Sequence, residues 1–177
     1  MAAASLLVLG AAGCGDPPGS GSEQSSELPE ACGESSSLQI VAAGTPVAGF
    51  EASSSVAQRQ DDQTWVVGVA DYQLDAGDLG DIGSLPAAPA DGTRVVLRLH
   101  SEDGAITSGD TFTAADLGLA VSVATGGVET PVTSLDAQAQ VAYVDDTTIC
   151  GSISVGDPAT ATDPDVTTVG GSFAASV

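Results

Sequence analysis

The chain has 177 residues, with 24 Asp and Glu against three Lys and Arg and a formal net charge of −21. That length holds at most one ordinary domain with extensions, and a field of that sign repels phosphate backbones and anionic headgroups, which argues against nucleic acid as a partner. Apolar residues make up 42% but aromatics only 3%, and 22 Gly with nine Pro imply many turns and no long helices.

Residues 2–13 form a run of Ala, Leu, Val and Gly interrupted by one Ser. Coiled as a helix, this run rises about 18 Å, too short for a hydrocarbon core of about 30 Å. Its length suits the apolar region of an export signal. Cys14 follows, then the polar stretch Gly15-Asp16-Pro17-Pro18-Gly19-Ser20-Gly21-Ser22. Apolar run, small residues, cysteine and flexible linker together resemble the lipobox of bacterial lipoproteins. Ala12 and Gly13 suit the two positions before the cysteine; Ala11 stands where the family usually has Leu, and no Lys or Arg precedes the run. The resemblance covers residues 1–14 alone. It implies cleavage after residue 13, a diacylglycerol on the Cys14 thiol and attachment to a bacterial envelope membrane, with the domain outside the cytoplasm. Secretion with cleavage nearby and an unprocessed N-terminus are the competing readings.

There are three cysteines, Cys14, Cys32 and Cys150. If Cys14 takes lipid, Cys32 and Cys150 remain, and an oxidising compartment lets them pair. Two buried, unpaired thiols are the alternative.

Residues 14–36, the cysteine and a Gly-, Ser-, Pro- and Glu-rich linker, read as a disordered tether. From residue 37 to 177 the pattern is strand, turn, strand. Leu38 and Ile40 alternate with Gln39 and Val41; Trp65, Val67 and Val69 alternate with Val66, Gly68 and Ala70. The clearest period of two places Val95, Leu97 and Leu99 on one face and Arg94, Val96, Arg98 and His100 on the other, a strand expected to be buried on one side only. Leu119, Val121 and Val123 repeat the signal, Val141 and Tyr143 follow, and two final runs, at residues 148–155 and 169–175, share a Gly-Ser step and read as arms of a hairpin. Residues 51–60 and 114–117 are expected to form short helical turns. The prediction is an all-β domain, a single sandwich or partly closed barrel of about seven or eight mostly antiparallel strands.

Candidate chemistry is sparse. His100 is the only histidine, and no nucleophile elbow, zinc-protease motif or phosphate-cradling loop is present. Arg94, Arg98 and His100 are expected on the solvent face as partners for carboxylates, with an anionic-ligand site as the alternative. Asp71, Asp75, Asp78 and Asp81, with Gly77 and Gly80 among them, could supply the oxygen ligands that calcium requires, although the spacing is not that of an EF-hand. Asp157, Asp163 and Asp165 pose the same question. Trp65, in a Val-rich strand, is expected in the core rather than at an interface. The resulting expectation is a non-enzymatic cell-envelope lipoprotein without a cofactor, held to the membrane through its lipid and acting by surface recognition or as a structural component. A small-ligand or calcium-binding module using the acidic loops is the alternative.

Overall fold

The computed structural model describes residues 28–80, 82, 85–157, 163 and 166–177. Residues 1–27, which include the expected export signal, Cys14 and most of the expected linker, lie outside the described residues, as do Asp81 and Asp165. Eleven strands form: β1 (Ser37–Ala42), β2 (Thr45–Pro46), β3 (Ser54–Asp61), β4 (Thr64–Ala70), β5 (Thr93–His100), β6 (Thr111–Thr113), β7 (Leu119–Thr125), β8 (Val128–Val132), β9 (Gln138–Val144), β10 (Thr148–Val155) and β11 (Thr168–Ser176). The domain is all-β, with more strands than the period-two runs imply.

Hydrogen bonds join them in the order β6-β9-β10-β11-β3-β4-β5-β7-β8, with β1 on β11 and β2 on β1. These pairings are antiparallel except for one parallel bridge, Ser176 to Val56, between β11 and β3. The sheet is open and curls, so that inward side chains from both of its halves meet in one core. That core holds Trp65, Val67 and Val69 of β4, Val95, Leu97 and Leu99 of β5, and Val121 of β7 with Ile149 of β10 and Phe173 of β11. Trp65 is 2% exposed and therefore a core residue. Each such side chain contributes about 1.5–3 kcal/mol through burial.

The expectation of a one-sided β5 needs correction. The described residues of the β4–β5 connection, 71–80, 82 and 85–92, supply a strap over the outer face of those strands and bury it. Leu74 and Leu79 pack there on Val66, Ala70 and Val96. Gly68 makes the approach feasible: a Cβ at that position would stand 2.6 Å from Leu74 and 2.7 Å from Leu79. Arg94, expected in solvent, is 2% exposed beneath this strap.

Two further expectations change. Residues 51–60 are largely strand β3 rather than helical turns, and residues 114–117 form a turn in which the Leu117 amide donates to the Ala114 carbonyl. The final hairpin is confirmed, with Thr148 opposite Ser176 and Val155 opposite Val169. Its Gly-Ser steps have distinct steric reasons. A Cβ on Gly151 would collide with the Gln140 carbonyl and crowd the Phe173 ring, and one on Gly171, at φ +138°, would collide with the Ser37 carbonyl.

The packed region also begins before residue 37. A 3₁₀ turn at Glu30–Cys32 sits against the sheet, and Ser36 is buried. β11 passes from pairing with β1 to a single bridge with β3, leaving Ala174 without a strand partner on that side. Ser36 fills the gap: its Oγ accepts from the Ala174 amide (2.9 Å) and donates to the Ala174 carbonyl (3.2 Å), while the Ser55 hydroxyl donates to it (2.8 Å). Exposed edges are blunted by Pro46 in β2 and Pro131 in β8, which offer no N–H to another chain. Ser36→Ala leaves both Ala174 groups unsatisfied and should destabilise the domain by about 1–3 kcal/mol. Ser35→Ala, at an exposed position, should stay within about 0.5 kcal/mol. Thermal unfolding of the two variants measures the difference.

Candidate functional site

Cys32 and Cys150 are joined, with S–S 2.07 Å and Cα–Cα 5.3 Å across 118 residues of sequence. The alternation of β10 sends Ile149 and Ile153 into the core and Cys150 to the opposite face, where Cys150 is fully buried against Cys32, Ala174, Leu28 and Tyr143. The bond therefore fastens the turn that precedes β1 to a strand flanked by β9 and β11. Among the described residues no helix is long and apolar enough to cross a membrane.

The cations divide into different roles. Arg59 bridges two turns, donating to Asp62 (2.6 Å) in the β3–β4 turn and to Asp146 (2.8 Å) in the β9–β10 turn. Arg94 lies under the strap with Glu129 of β8 at 3.7 Å, and Glu129 also accepts a hydrogen bond from the Ser122 hydroxyl. Burial pushes the nearby Tyr72 hydroxyl up, against the opposing pull of the Arg94 charge. Thus Arg94 has a carboxylate partner, but in the outer layer rather than in solvent. His100 Nδ1 lies 3.0 Å from the Thr64 hydroxyl, so the trio read along β5 does not converge on one ligand site.

Asp71 accepts from the Thr93 amide (2.8 Å), which ties the start of the strap to β5. Asp75 precedes the 3₁₀ turn Ala76–Asp78, and both Asp75 and Asp78 are exposed. Among the described residues, no three His, Cys, Asp or Glu side chains form a group that could hold a metal ion. Asp157 and Asp163 are exposed on the β10–β11 connection.

One concave feature was not legible as a site in the sequence. The loops after β5 and β6 enclose a cleft of 490 Å³ lined by His100, Glu102, Asp103, Asp110 and Asp116, with Phe112 beneath. Of its residues only His100 stands out in the sequence as a candidate; Glu102-Asp103-Gly104 and Ser108-Gly109-Asp110 are of the composition that marks turns. Much of this acidity organises the loops. Asp110 accepts from the Thr107 amide (2.7 Å) and hydroxyl (3.1 Å), and Asp116 accepts from the Thr113 hydroxyl (2.7 Å). The cleft favours cationic groups electrostatically and offers one imidazole for proton transfer.

No protein-family model matches the chain, and no curated protein or solved structure matches it.

Carboxylates at neighbouring turns are held below their ordinary range. Asp145 is lowered chiefly by the Thr147 amide, with help from the Tyr143 hydroxyl and the Thr148 amide. Asp61 is lowered chiefly by the Thr64 hydroxyl and then by the Gln63 amide. A carboxyl with a depressed folded-state pKa contributes stability above its unfolded value, and that contribution disappears as pH falls through the folded value. The domain should therefore lose stability as pH drops below about 4. Asp145→Asn should lower the melting temperature at pH 7 by about 2 °C and flatten part of the acid decline. Melting curves of both proteins between neutral and strongly acidic pH provide the comparison.

Proposed function

We propose that the chain is a non-enzymatic lipoprotein of a bacterial cell envelope, acylated at Cys14, whose β domain works outside the cytoplasm in surface recognition or as a structural component. The observation that carries this reading is the pairing of Cys32 with Cys150. It leaves Cys14 as the one cysteine outside the bridge, directly behind an apolar run of export-signal length. A bridged pair also suits an oxidising compartment. The lipid, rather than protein surface, would hold the domain at the membrane; two acyl chains give stable attachment where one gives marginal binding. The curled sheet with its shared core is, in this reading, a sandwich-type domain.

The acidic cleft beside β5 and β6 favours a second reading, a module that binds a cationic small ligand or calcium. For calcium at Asp71, Asp75, Asp78 and Asp81 the support is the sequence alone, since the described members of that set do not gather into a metal-holding group.

Intact-mass spectrometry of the mature protein from its native host tests the first reading. The expected species begins at Cys14, carries the mass of a diacylglycerol and lacks two hydrogens relative to the dithiol form of Cys32 and Cys150. A species that retains Met1, with Cys14 unmodified, would overturn it. For the second reading, a ligand that binds only the folded state raises the melting temperature. Calcium at about 100 times its dissociation constant should stabilise the domain by about 2.7 kcal/mol, and an unchanged melting curve at millimolar calcium removes the calcium version.

A further inference from the structure

Among the described strands β11 comes after all the others in sequence, and it is the one on which the two halves of the sheet meet. Its nine residues pair along β10 on one side, along β1 on the other, and bridge to β3 at Ser176. Val169 and Phe173 are fully buried in the common core, with Ala175 beside them at 1% exposure. Phe173 lies over Gly151, and β1 approaches Gly171 so closely that no other residue fits there. On the opposite face Ala174 completes the apolar pocket around Cys32 and Cys150, and its backbone is what Ser36 satisfies. The amide of Val177 then closes onto the Thr147 carbonyl.

Without β11, β1 keeps only its short pairing with β2, Val41 to Pro46 and Ala42 to Thr45. β10 loses its longest ladder, and β3 loses its connection to the other half. The remaining β3-β4-β5-β7-β8 meander exposes an apolar face comprising Trp65, Val67, Val95, Leu97 and Val121. Pairings distant in sequence yield no free energy until the loop-closure entropy between them has been met, and here the strand that joins β1 and β3 to β10 follows all of them in sequence.

We propose that β11 gates folding, so that a chain still being synthesised or threaded across a membrane leaves residues 28–167 unfolded until Thr168–Ser176 are free to pair. In an exported protein this keeps residues 28–167 threadable until β11 has followed them across. That consequence rests on the lipoprotein reading, whereas the dependence on β11 does not.

The test is a cell-free translation series without membranes. Chains ending at residue 157, 167 or 177, each followed by the same long Gly/Ser spacer, are stalled on the ribosome under oxidising conditions. Protease half-life and formation of the Cys32–Cys150 bond are read for each. Cleavage tracks the open population: chains ending at 157 and 167 should be cut as fast as a urea-unfolded control, and the 177 chain about 100-fold more slowly. A synthetic peptide of residues 166–177 added to the released 167 chain should restore resistance saturably. Protection of the 167 chain equal to that of the 177 chain would overturn the proposal, as would a 167 chain that no concentration of the peptide protects. Because no membrane or acylation is involved, absence of lipid on Cys14 in the native host would leave this result unaffected.

Discussion

The bond between Cys32 and Cys150 is the constraint around which the rest of this molecule is arranged. It joins the residues that precede the first strand to β10, across 118 residues of sequence. Closing a loop of that size removes about 4–5 kcal/mol of freedom from the unfolded chain in the entropic description. The gain is large relative to the total stability of an ordinary domain, about 5–15 kcal/mol. It matters more in a chain whose core is built from Val, Ala and Leu with few aromatics, because small side chains bury little area each. Once Cys32 is fixed on β10, Ser36 reaches Ala174, β1 can lie along β11, and β11 draws the two halves of the sheet together. The same bond accounts for two cysteines of three, and that arithmetic supports Cys14 as the site of lipid attachment.

The excess of carboxylates is accommodated locally. Asp145, Asp110 and Asp61 accept from backbone amides or hydroxyls of their own turns, so their charge organises loops at the ends of strands. Two of the three arginines stand where elements must be joined: Arg59 between two turns contributed by β3–β4 and β9–β10, and Arg94 between the strap and the β8 carboxylate of Glu129. A chain with a net charge of −21 resists compaction through self-repulsion. Placing the acids on exposed turns limits that cost.

The strands with strict alternation were legible, because β4, β5 and β7 carry β-branched or large apolar residues on every second position, and β10 and β11 keep that alternation with Gly151, Gly171 and Ala175 among the positions. β3 was not, since Ser54–Asp61 is mostly polar and only Ala57 of it is fully buried; its strand character comes from pairing with β4. β2 and β6 are two and three residues long, below the length at which a period can be recognised. The outer layer escaped notice for another reason. Leu74 and Leu79 lie in a loop rich in Asp, Gly and Pro, and their burial depends on Gly68 leaving room beneath them. Arg94 was misplaced with it, since period two assigns a face but cannot say whether a loop covers that face. Of the candidate site, the cysteine pair was readable from an odd count and an apolar leader. The acidic cleft was not, because it exists only where two loops distant from any motif converge.

The central claim, that the crosslink is the principal constraint on the native domain, is tested most directly by equilibrium unfolding in urea. The oxidised protein is compared with a Cys32→Ser/Cys150→Ser variant whose unfolding slope is also recorded. The two should differ by about 4 kcal/mol, with the variant unfolding at the lower midpoint. Coincident midpoints with equal slopes would contradict the claim and return the weight of the fold to the apolar core alone.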